Sequence, residues 1–138
     1  MGAPKFDEKD QSFAKALQKE LGVPQEGLAT NLIPFGPGHG DTASSDIGEV
    51  SAVVPLAELR VAARPLGTAA HHWAQTSCAA HPLGFKGMEV AAKVLGASMV
   101  DLLTDPQTVA QAKQEFAKAT QGKPYVSPLA ADAKPQVF

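Results

Sequence analysis

The stretch VSAVVPLAELRVAA, Val50 to Ala63, decides the fold class. Val50, Val53, Val54, Leu56, Leu59 and Val61 are β-branched or apolar residues that suit strands. Pro55 lacks an N–H and divides the stretch, so it predicts two short strands meeting at a break. Helical patterns lie on both sides of it. The expected architecture is therefore α/β, with helices packed on a small sheet and joined by long Gly/Pro-rich loops.

Downstream, Lys86 to Leu103 predicts a helix. Met88, Ala91, Ala92, Leu95, Met99, Leu102 and Leu103 recur at steps of three and four, and this face is expected to be core. Thr104-Asp105-Pro106-Gln107 then marks a second start, with Thr104 or Asp105 as cap and Pro106 in the first turn, where its missing N–H removes no bond. That helix is expected to run to about Thr120, with Val109 and Phe116 two turns apart and Gly122 and Pro124 ending it. Upstream, Asp7 is a candidate N-cap, Asp10 adds negative charge to the first turn and Gly22 supplies a left-handed stop. The helix between them would carry Phe13, Leu17 and Leu21 on one stripe and Lys15, Gln18 and Lys19 toward solvent.

The remaining segments are dense in turn formers, among eleven prolines and twelve glycines. Val23 to Gly48 has no periodicity and is expected to be loop. Pro65 to Phe85 has no Asp, Glu, Lys or Arg, but three histidines and Pro82 interrupt it, so it is expected to hold a strand ending in a polar turn and no membrane span. The chain has 138 residues, 44% of them hydrophobic and 19% charged, which suits one globular core. A formal charge of -2 provides no footprint for nucleic acid. A single cysteine rules out an internal disulfide framework, and Met1 to Lys9 lacks the apolar run of a secretory signal, so a cytoplasmic location is expected.

Metal-competent side chains concentrate at His71, His72 and His81, beside Trp73 and Cys78. In a strand, successive side chains point to opposite faces, so at most one of His71 and His72 would face a site. Spacing alone favours polar loop histidines, and no H-E-x-x-H pattern is present. Asp41, Asp46 and Glu49 are candidate ligands or supporting carboxylates, with turn or capping roles as the plainer reading. Cys78 would be a nucleophile only with a lowered pKa and a positioned base; otherwise it is a small buried hydrophobe. Gly36-Pro37-Gly38-His39-Gly40 has the glycines of a phosphate loop without its G-K-[ST] ending.

Six blocks occur in order: Ser44-Ser45-Asp46-Ile47-Gly48-Glu49-Val50-Ser51, His71-His72-Trp73, Gly84-Phe85-Lys86-Gly87-Met88, Ala91-Ala92-Lys93-Val94-Leu95, Asp101-Leu102-Leu103-Thr104-Asp105-Pro106 and Gly122-Lys123-Pro124-Tyr125-Val126-Ser127-Pro128. Together with Asp10 and Phe13-Ala14-Lys15 they resemble the C-terminal part of the zinc-dependent amidohydrolase and aminoacylase peptidases. The branch resembled holds aminobenzoyl-glutamate hydrolase, through its B subunit, together with hippurate hydrolase and carboxypeptidase G.

The resemblance implies that residues 1–128 are the C-terminal portion of an α/β catalytic domain, with 129–138 as a flexible tail. The lid domain and the early ligands would lie outside the matched region. It implies divalent metal chemistry with zinc or manganese, in which the cation activates water against an amide bond. The family pattern G-H-S-W-Q stands here as Ala70-His71-His72-Trp73-Ala74, which makes His71 the candidate metal ligand. G-H-K-G stands as Gly84-Phe85-Lys86-Gly87, with a histidine replaced by a ring that binds no metal. Either position could supply the family's late ligand; if it is the second, His81 would have to compensate. No catalytic residue is assigned, and the substrate-binding residues are unknown. A catalytic metal needs about three protein ligands, so activity is expected only with a complementary chain carrying the N-terminal half, on a small-molecule amide substrate. The alternative is a non-catalytic remnant serving as a small oligomeric binding or structural module.

Overall fold

The opening helix follows from its caps. Asp7 is extended and its carboxylate accepts from the N–H groups of Lys9 and Asp10, while the Asp10 side chain accepts from the Asp7 N–H, a reciprocal capping box. Helix α1, Glu8–Glu20, ends as Gly22 takes φ +66°, the left-handed stop that glycine adopts without a Cβ penalty. In this computed structural model, residues 2–33, 45–130 and 132–134 are described. Four more helices follow: α2 Ile47–Val53, α3 Trp73–Ala79, α4 Pro82–Thr104 and α5 Pro106–Thr120.

Among the described residues the architecture is all-helical, which corrects the expectation of an α/β fold with helices on a small sheet. Val50 and Val53, read as strand residues, lie in α2; the chain from Val54 to His72 has no regular structure. The physical reason is that a strand exists only by pairing, and the described residues hold no strand for this stretch to pair with. The strand expected within Pro65 to Phe85 is likewise replaced, by α3 and the first turn of α4.

The chain divides into two units. Residues 1–37 and 59–100 form one, and residues 38–58 and 101–138 the other. The first holds a small core of Ala14 and Leu17 from α1, Leu28, Ala74 and Cys78 from α3, and Leu83 from α4, with Phe6, Phe13 and Leu21 packed against it. Gln18, expected at the surface, is fully buried here. Its amide donates to the carbonyls of Gly27 (3.3 Å) and Leu66 (2.8 Å) and accepts from the Gly27 N–H (2.7 Å). Gln11 accepts from the Leu28 N–H at 2.9 Å. These two amides take the place of backbone partners for a loop without regular structure, which a buried N–H requires.

Helix α4 starts at Pro82 rather than Lys86, because His81 Nδ1 accepts from the Leu83 N–H at 3.3 Å and caps the turn. Its inner face is Leu83, Gly84 and Gly87, and the face expected to be core is not: Met88, Leu95, Met99, Leu102 and Leu103 are all exposed. Close approach explains the glycines. A Cβ on Gly87 would lie 2.7 Å from the Ala62 carbonyl oxygen, and one on Gly84 would press on the backbone of Cys78 and Ala79.

In the second unit, Asp105 caps α5 through the Gln107 N–H at 2.9 Å, with Pro106 in the first turn. The helix stops as Gln121 and Gly122 turn left-handed, at φ +53° and +68°. Val109, Ala112, Phe116 and Thr120 are its half-buried positions, the spacing of one helix face.

Candidate functional site

The histidine cluster sits where the irregular chain enters α3. His71 is exposed and left-handed at φ +55°, a conformation uncommon outside glycine and enriched in His, Asn and Asp. His72 is the N-cap of α3, its Nδ1 accepting from the Ala74 N–H at 3.3 Å, and its ring lies 5.4 Å from that of Trp73. With Gln75, Thr76 and Ala79 these three residues line an open depression of about 560 Å³. Arg64 donates to the Gln75 side chain at 2.7 Å and ties the preceding segment to α3.

His81 belongs elsewhere in the first unit. Its ring stacks on Phe13 at 3.9 Å and 9°, and its Nδ1 is taken by the α4 cap. It is therefore held by α1 and α4 together. Phe85 is exposed on α4. Asp46 and Glu49 are exposed at the start of α2, where the Ser45 hydroxyl, not Asp46, accepts from the Ile47 N–H. Asp41 and the stretch Gly36 to Gly40 lie outside the described residues.

The resemblance implies a metal, and the donors on hand decide whether this chain could hold one. Among the described residues no three His, Cys, Asp or Glu side chains gather as a metal-holding group. His72 and His81 each commit one ring nitrogen to a helix cap, and Phe85 offers no donor. The described residues thus do not fit a metal centre by themselves, since such a centre needs about three protein ligands.

Cys78 is buried in α3, and that burial pushes its thiol above the ordinary value, with Arg64 opposing weakly. It is a packed hydrophobe without the lowered pKa of an activated nucleophile. The charged group that sequence reasoning missed is Lys86, which binds both Asp7 (2.9 Å) and the buried Asp10. Lys86 and the Asp10 backbone hold the Asp7 carboxyl down at about 2, and the two carboxylates, Asp10 first, raise the Lys86 ammonium. The signal was available in part: Asp7 and Asp10 read as a helix start, but nothing local says which cation meets them.

Comparison with known proteins finds a distant relative. The chain is 26% identical over 160 aligned positions to the B subunit of p-aminobenzoyl-glutamate hydrolase from Escherichia coli (strain K12), an alignment covering 97% of this chain. The chain resembles that hydrolase. It spans 33% of the relative's length, about a third. No family model and no solved structure matches the chain. No helix among the described residues is long and apolar enough to cross a membrane.

Proposed function

We propose that this chain corresponds to the C-terminal portion of a metal-dependent amidohydrolase acting on N-acyl or N-aroyl amino-acid amides of the aminobenzoyl-glutamate type. Catalysis would require the complementary polypeptide. The observation that carries the reading is the alignment along nearly the whole chain to one third of a hydrolase subunit. In this reading a zinc or manganese ion is held mainly by ligands of the complementary part, and His71 is this chain's contribution to it. The relative is a B subunit, which supports a partner chain.

The test combines the purified chain with the part of the E. coli relative outside the matched third and follows hydrolysis of p-aminobenzoyl-glutamate. Turnover should require both chains, cease on chelation and fall when His71→Ala replaces wild type. A bound pair that hydrolyses nothing with zinc or manganese present would overturn the proposal. A second reading, a non-catalytic oligomeric module, is favoured by Phe85 standing where the resemblance expects a histidine.

A further inference from the structure

Trp73 is the sole tryptophan of the chain, and 58% of it is exposed. Tryptophan is highly buried on average, and the small core of this unit leaves this one out. Among the described residues its one ring neighbour is His72, 5.4 Å away and tilted by 42°. The free face of the indole therefore belongs to the depression of about 560 Å³ that it lines with His71, His72, Gln75 and Thr76.

The charges around that depression are of one sign. None of its lining residues is acidic, and Pro65 to Phe85 holds no Asp or Glu at all. A cation stands at the edge instead, because Gln75 accepts from Arg64 at 2.7 Å through one nitrogen of a guanidinium that carries five N–H donors. An exposed indole can hold a cation over its face, but a site with a guanidinium and no acid disfavours one. A ring carried on an anion suits both features, with the ring against the indole and the carboxylate toward Arg64.

The amide chemistry proposed above supplies such a ligand, and the inference rests on that reading. Trp73 and His71 line one depression, so a ring held on the indole keeps its adjoining amide in the space that His71 faces.

We propose that Trp73 is the aryl subsite of this depression and sets a preference for N-aroyl over N-alkanoyl amino acids. An aromatic pair adds roughly 2- to 10-fold in affinity beyond the area it buries.

N-benzoyl-glutamate and N-acetyl-glutamate carry the same charges and differ in the ring. The full chain has one indole N–H resonance, which should shift on titration with N-benzoyl-glutamate and stay in place with N-acetyl-glutamate. Followed by the backbone amides of α3, N-benzoyl-glutamate should bind at least threefold more weakly to Trp73→Leu and within twofold of wild type to Trp73→Phe, with the helical circular dichroism of both variants unchanged. In the reconstituted hydrolysis assay, Trp73→Leu should raise KM for the benzoyl amide while leaving kcat and the acetyl amide unchanged. An indole that moves with neither amide or equally with both, or a Trp73→Leu chain that binds N-benzoyl-glutamate as wild type does, would overturn the proposal. The titration needs neither metal nor complementary polypeptide. A ring that binds at Trp73 beside a pair that hydrolyses nothing would therefore remove the amidohydrolase reading alone, whereas turnover whose benzoyl preference survives Trp73→Leu would remove the subsite alone.

Discussion

Two glycines of α4 have the same chemistry and opposite surroundings. In an exposed helix interior, Gly→Ala stabilises by about 0.5–1 kcal/mol, because alanine loses less backbone entropy on folding. Gly96 has nothing within 4 Å of a new Cβ, so Gly96→Ala should gain that full amount. At Gly87 the Cβ would lie 2.7 Å from the Ala62 carbonyl oxygen, 2.9 Å from Ala63 Cβ and 3.3 Å from Ala63 Cα. Backbone atoms cannot rotate away as a long side chain can, and overpacking of this kind costs about 1–3 kcal/mol. Set against the propensity gain, Gly87→Ala should lose roughly 1 kcal/mol, leaving the two variants about 2 kcal/mol apart, a factor near 30 in the folding constant. Urea titration followed by Trp73 fluorescence measures the difference, since Trp73 and both glycines lie in the same unit. Equal midpoints, or a Gly87→Ala variant more stable than Gly96→Ala, would refute the close packing of α4 on the Ala62–Ala63 backbone.

The buried Gln18 and the Asp7–Lys86 pair give two further tests. Gln18→Leu keeps the volume but strips the Gly27 N–H of its side-chain partner, so stability should fall by about 2 kcal/mol and exchange of the Gly27 amide should accelerate; unaltered exchange would show that the clamp is dispensable. Asp7 is lowered from 3.8 to about 2 by Lys86 and the Asp10 backbone, so its contribution is complete above about pH 4 and is lost as pH falls toward 2. Lys86 is raised, and its share is present below its ordinary 10.5 and lost only at higher pH. Asp7→Asn, which retains a capping side chain, should flatten the acid limb of the stability curve; an unchanged limb would remove Asp7 from the account.

What was legible in the sequence was what a few neighbouring residues determine. The Asp7 and Asp105 caps, Pro106 in the first turn and the stops at Gly22 and Gly122 placed α1 and α5 because each is a local hydrogen-bond or dihedral matter. Val50 to Ala63 failed as strands because strand formation depends on a neighbour that local composition cannot report. The periodicity of α4 marked the Met88–Leu95–Met99 face as core, whereas the buried face is that of Leu83, Gly84 and Gly87; the glycines decide it, since they let backbone approach closely. Gln18 was assigned to the solvent face because a polar residue beside Leu17 looks exposed until the loop that needs its amide is in place. At the candidate site, the histidines were found by type, while their roles as caps depended on where α3 and α4 begin.

Those roles bear directly on whether His81 could stand in for the histidine that the resemblance expects at position 85. Its Nδ1 holds the first turn of α4, whose Gly84 and Gly87 pack closely, and its ring lies on Phe13 of α1. Turning that imidazole toward a metal would forfeit the cap and the stack together, in a unit whose buried apolar core among the described residues is Ala14, Leu17, Leu28, Ala74, Cys78 and Leu83. Compensation by His81 is thus opposed by the stability of the helix that carries Phe85.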